Sequence, residues 1–136
     1  MEIKLNLPLH VWPSRKKKFI LNLNNYRNAH YQTLNKAKIL YSDNVKDILS
    51  KKLARSGFKY DTPVTMTYTY FHGNKRRVDV GNPCSVIDKF TCDALTDYGI
   101  WSDDNSSVIK GVSFCFGGID KLRPRCELVI SPVVSS

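Results

Sequence analysis

Hydrophobic and polar positions along this chain follow two rhythms. Val64 to His72 reads VTMTYTYFH, with Val64, Met66, Tyr68 and Tyr70 alternating with threonines. A period of two in β-branched and aromatic residues predicts a strand. Between Ala29 and Ser56 the spacing lengthens: Leu34, Ala37, Tyr41, Val45, Ile48 and Lys52 or Leu53 fall on one helical stripe, with Gly57 as the stop. A second helix is framed by Asn82 as N-cap and Pro83 at its first position. Pro83, Val86, Ile87, Phe90, Ala94 and Tyr98 share its inner face, and Gly99 ends it.

Strands are also expected over Met1 to Leu9, Val108 to Phe116 and Arg125 to Ser131. The last two are joined by GGIDKLRP, which predicts an antiparallel hairpin. Ile100 and Trp101 should return to the core before a polar turn at Ser102 to Asn105, and the last five residues are expected to fray. No repeat or linker divides the pattern. Residues 1–136 are therefore expected to form a single α+β domain, a mixed sheet packed against two main helices in two layers.

Composition narrows the partners. The longest apolar runs are too short to cross a bilayer, so no membrane partner is expected. MEIKLNLPLHVW lacks a small-residue cleavage site and reads as a first strand, which makes the cytoplasm the expected location. Four cysteines without a CxxC pair and three scattered histidines argue against zinc. Cys115 and Cys126 could face each other across the hairpin, although a reducing compartment favours buried thiols. A net charge of +9 suits a polyanion, and equally suits plain solubility.

Local patterns bear on that choice. Arg15, Lys16, Lys17 and Lys18 repel one another and need solvent or phosphate. Asn24, Asn25, Tyr26 and Arg27 follow with hydrogen-bonding and stacking groups, which favours a DNA-contacting arm over a solvated loop. Lys36, Lys38, Lys46, Lys51 and Arg55 lie off the apolar stripe of the first helix, mostly solvated, with a few in reach of phosphate.

The densest chemistry runs from Lys75 to Val108, KRRVDVGNPCSVIDKFTCDALTDYGIWSDDNSSV. Lys75, Arg76 and Arg77 lead into a short extended run carrying Asp79, then come the helix with Lys89 and a loop with Asp103 and Asp104. Phosphodiester hydrolysis needs a cation held by oxygen ligands, and carboxylates from two elements could supply it. Neighbours in an extended stretch point opposite ways, so only one of Asp103 and Asp104 would be a direct ligand. Lys89 could meet charge developing on the phosphate. The alternative is structural: Asp79 as a surface partner of Arg76 or Arg77, and the two loop aspartates capping a turn. On a helical wheel Asp93 pairs with Lys89, whereas Asp88 projects nearly opposite the core face.

KRRVDVGN followed by DKFTCDALTDYGIWSDDNSSV resembles the RusA-type Holliday-junction resolvases, small endonucleases common in phages and prophages. Their pattern is a basic run, Asp-x-Asp-Asn, a helix with a lysine and Asp-Ala-Leu, then a Gly and an Asp-Asp loop. The resemblance implies catalytic roles for Asp79, Lys89 and Asp104, with Asp79, Asp103 and Asp104 around Mg²⁺ or Mn²⁺. It also implies a homodimer that nicks four-way DNA junctions, in a bacterial host cell if phage-encoded. Arg15 to Lys18, Asn25, Arg27 and Lys75 to Arg77 would contact DNA. Gly81 stands where the family has its second aspartate, which implies weakened metal binding and more cleavage after Gly81→Asp. Two other functions remain open: a junction-binding protein of the same fold that does not cut, and a generic basic protein that binds RNA.

Overall fold

The computed structural model describes residues 1–54 and 57–133. In chain order it contains β1 (Ile3–Leu7), β2 (His10–Val11), β3 (Phe19–Ile20), α1 (Leu23–Asn28), α2 (Tyr31–Leu53), β4 (Val64–His72), α3 (Gly81–Tyr98), β5 (Ile109–Ile119) and β6 (Arg125–Pro132). A mixed four-stranded sheet of order β1-β6-β4-β5 forms one layer, and β2 and β3 make a separate two-stranded ribbon. The α+β expectation holds.

Alternation places Ile3, Leu5 and Leu7 of β1, Val64, Met66, Tyr68 and Tyr70 of β4, and Cys126, Leu128 and Ile130 of β6 in the core. The helices contribute Ala37, Tyr41, Val45 and Leu49 from α2, and Val86, Ile87, Phe90 and Leu95 from α3. Ile100 and Trp101 are buried as the pattern required. Where α2 meets α3, the hydroxyl of Tyr41 and that of Thr91 lie 2.8 Å apart, satisfying both buried polar groups.

Several expectations need correction. The segment from Ala29 to Ser56 holds one helix, α2, within narrower bounds than predicted. Ala29 is extended, α1 precedes it inside the supposed arm, and His30 caps α2 by accepting from the Gln32 N–H at 3.2 Å. The α2 helix ends at Ala54 in a left-handed conformation, before the predicted Gly57 stop, and residues 55–56 lie outside the described region. Pro132 pairs with Val64, and the Val133 N–H donates to the Pro63 carbonyl at 2.8 Å. The predicted fraying therefore fails for those two, and residues 134–136 lie outside the described region.

The largest correction concerns the hairpin. β5 and β6 do not pair with each other: β4 lies between them, parallel to β5 and antiparallel to β6. The linking loop crosses the end of β4, where the Asp120 N–H donates to the His72 carbonyl at 2.8 Å. Asp120 also holds Arg125 through Oδ2 at 2.8 Å. Cys115 and Cys126 consequently flank β4; Cys115 is exposed and Cys126 buried, both as free thiols.

Gly117 is the extra residue of a bulge, since Phe116 pairs with Tyr70 and Gly118 with Phe71. A Cβ at Gly117 would lie 2.7 Å from Phe71 Cζ and from Thr69 Cγ2. Phe71 has little room to yield, because the Arg125 guanidinium sits 4.1 Å from its ring centroid. Gly117→Ala is expected to destabilise the protein by about 1–3 kcal/mol, the usual range for overpacking, measured by urea denaturation.

Candidate functional site

The start of α3 fixes one group of candidate residues. Lys75, Arg76 and Arg77 are exposed in the connection after β4, and no strand forms around Asp79. Exposed Asp79 accepts the Gly81 N–H through Oδ1 at 3.1 Å, and its carbonyl accepts the Asn82 N–H at 3.0 Å. The aspartate thus satisfies the helix's first donors, the role predicted for Asn82. Asn82 instead accepts the Leu23 N–H at 3.0 Å, tying α1 to α3 across 59 residues of sequence. Pro83 is third in the helix, still within the turn where a missing N–H costs nothing.

The other end of α3 gathers acids. Asp93, Thr96, Asp97, Asp103 and Asp104 line an open cavity of about 460 Å³. Asp97 is ion-paired with Lys46. Asp103 orders the loop, accepting the Asp104 N–H at 2.8 Å and the Asn105 amide at 3.1 Å. Partial burial, followed by the negative charges of Asp103 and Asp93, holds the Asp104 carboxyl above its ordinary range. Asp103 and Asp104 are therefore brought together with two further aspartates, while Asp79 precedes the opposite end of an 18-residue helix about 27 Å long. Among the described residues, no three His, Cys, Asp or Glu side chains are grouped to hold a metal ion.

Asp88 is turned otherwise than the helical wheel implied. It accepts the buried Tyr68 hydroxyl at 2.6 Å and the Cys92 thiol at 3.3 Å, so it faces the sheet. The inner face of α3 is wider than predicted, because Cys84, Thr91, Cys92 and Leu95 are buried beside the expected stripe. Burial, then Asp88 and the more distant Asp104, push the Cys92 thiol up.

The basic residues fall into two sets. Lys17 and Lys18 share a cavity with Asn25 and Asn28, which links the charge run to α1; Arg15, Lys16 and Arg27 are exposed nearby in sequence. Asn25 uses its amide to hold the arm, donating to the Ile20 carbonyl at 2.9 Å. Lys89 forms no ion pair with Asp93 among the described residues; its Nζ lies 5.8 Å from the Tyr26 ring centroid.

Compared with models of known protein families, the chain matches none. No curated protein matches it either.

The acidic cavity was only half visible in the sequence. Asp103 and Asp104 stand out as a pair, whereas Asp93 and Asp97 look like ordinary solvated helix residues. Their i, i+4 spacing on α3, directly before the Gly99 stop, was the available signal that they face the returning loop. The role of Asp88 was missed because the helical wheel turned it away from the core and gave no hint of its contact with Tyr68.

Proposed function

We propose that this protein is a structure-selective endonuclease of branched DNA, resembling the RusA-type resolvases, that hydrolyses phosphodiester bonds with Mg²⁺ or Mn²⁺. What supports the reading is one juxtaposition: an aspartate-lined cavity beside α3, on whose outer surface Lys89 carries no ion-pair partner among the described residues. The donor chemistry fits a hard divalent cation, which is commonly held by one or two carboxylates with water and substrate phosphate completing the shell. Asp104 and Asp103 would hold it, and the ion would activate water and neutralise phosphate. Lys89 would offset charge on the phosphate, and Lys17, Lys18 and Asn25 would hold the flanking strand. Asp79 Oδ1 is already engaged by the Gly81 N–H just before α3. A homodimer would present two symmetric sites to a two-fold junction.

A second reading, a protein of the same fold that holds junctions without cutting them, is favoured by Gly81 and by the distance along α3 between Asp79 and the loop acids. One assay separates the two. A four-way junction and a matched linear duplex are incubated with the protein in Mg²⁺, Mn²⁺ or EDTA. Symmetric, metal-dependent nicks support the nuclease, and selective retention without nicks supports the binder. Equal, salt-sensitive binding to both DNAs leaves only a generic basic protein.

Gly81→Asp tests where the ion sits. A Cβ there would lie 3.4 Å from Asp79 Oδ1, so the variant should fold, with two carboxylates at the start of α3. With the ion in the cavity at the far end, junction nicking is expected to be unchanged. A clear rise in nicking rate would move the site to Asp79.

A further inference from the structure

Three helices bring two lysines to one aromatic ring. Tyr26 of α1 is half-buried and packs against Phe90 of α3, with ring centroids 6.2 Å apart. Lys89 of α3 lies with Nζ 5.8 Å from the Tyr26 centroid. Lys38 of α2 lies with Nζ 5.9 Å from both the Tyr26 and Phe90 centroids. Neither ammonium forms an ion pair among the described residues, although Asp93 follows Lys89 by one helical turn. Lysines left without carboxylates normally extend into solvent; both of these instead stay near the Tyr26 ring, within reach of cation–π attraction.

The surroundings form a path. Asn25, next to Tyr26, lines the cavity with Lys17 and Lys18. Lys38 lines a groove between α2 and α3 together with Phe90, Asp93 and Asp97. Asp93 and Asp97 in turn line the acidic cavity with Asp103 and Asp104. Basic arm, paired lysines and acidic cavity are thus consecutive, each sharing an element or a residue with the next. Two cations facing one ring repel each other until an anion sits between them.

We propose that Tyr26, Lys38 and Lys89 form a clamp for a single backbone phosphate of nucleic acid, on the approach to the acidic cavity. The ring fixes where the two ammonium groups stand, and their N–H donors meet the phosphate oxygens. A clamp of this kind reads no base; it sets which phosphate along the strand reaches the aspartates. The proposal rests on the nucleic-acid reading above and adds Lys38 and Tyr26 to it.

The test is the salt dependence of junction binding in EDTA, for the unaltered protein, Lys38→Gln, Lys38→Arg and Lys51→Gln. Lys51 is an exposed α2 lysine paired with Asp47, so its variant loses the same charge away from the clamp. Lys38→Gln is expected to bind several-fold more weakly, with the slope of log K against log salt reduced by about one. Lys38→Arg should keep the slope, and Lys51→Gln should resemble the unaltered protein. If Lys38→Gln keeps affinity and slope, or Lys51→Gln loses as much, the clamp is overturned while the nucleic-acid reading stands. If the unaltered protein shows no salt-sensitive binding to any DNA, that reading falls and the clamp with it.

Discussion

Replacing Asp104 by asparagine is expected to cut junction nicking by on the order of 10²-fold or more, since even outer-shell partners of a metal ligand cost 10–100-fold when changed. The substitution keeps shape and removes one charge. That charge sits beside Asp103 and Asp93, whose fields, added to partial burial, already raise the Asp104 pKa. A divalent ion would relieve this crowding; an amide gives it little to bind. Junction binding in EDTA should persist, because no contact to phosphate is lost. Stability should not fall: a carboxyl whose folded pKa is raised is disfavoured when charged, so at neutral pH its ionised form opposes folding, and asparagine removes that opposition. Nicking by the unaltered protein should also decline, as pH is lowered, earlier than an ordinary carboxylate would dictate, because the ligand must be deprotonated. Measured rates of Asp104→Asn equal to those of the unaltered protein would take the ion out of this cavity.

Phe90→Ala is expected to cost about 3–5 kcal/mol in urea denaturation, the range for emptying an aromatic core site. Phe90 is 3% exposed, and its ring meets Tyr41 of α2 at 5.8 Å and Tyr26 of α1 at 6.2 Å between centroids. Among the described residues, it is the ring that meets aromatic neighbours on both other helices. Its loss removes the ring contact between α1 and α3, while the bond from Leu23 N–H to Asn82 and the approach of Lys89 to Tyr26 remain. It also removes one of the two rings facing Lys38. DNA affinity should therefore fall together with stability at temperatures where the variant is still folded. An unfolding free energy within about a few tenths of a kcal/mol of the unaltered protein would show that the site collapses without loss.

How far the chain could be read depended on the reach of each signal. Strand β4 and the stripe of α2 were legible because their alternation and their spacing of three to four are local properties of Val64 to His72 and of Ala37 to Leu53. The α3 stop was legible because Gly99, at φ 97°, takes a conformation that other residues resist. Strand partners were not. GGIDKLRP looks like a hairpin loop, and nothing within it reveals that β4 will lie between the strands it joins. The start of α3 was ambiguous for a related reason: Asp79 and Asn82 can both cap, and the choice is settled by Leu23, far away in sequence. In the site, the Asp103-Asp104 pair was legible as a loop feature. The neighbours it would acquire were not, because Asp93, Asp97, Tyr26 and Lys38 belong to helices whose mutual packing no local pattern encodes.

The strand order has a consequence for how the protein is made. β6 is the neighbour of both β1 and β4, so among the described residues β1 has no hydrogen-bonded strand partner until β6 has been synthesised. Until then Ile3, Leu5 and Leu7 have no sheet to join, whereas β2 with β3 and β4 with β5 can already pair. Nascent chains released short of Arg125 would expose two unpaired strand edges at once, which makes premature termination a route to aggregation rather than to a smaller working protein.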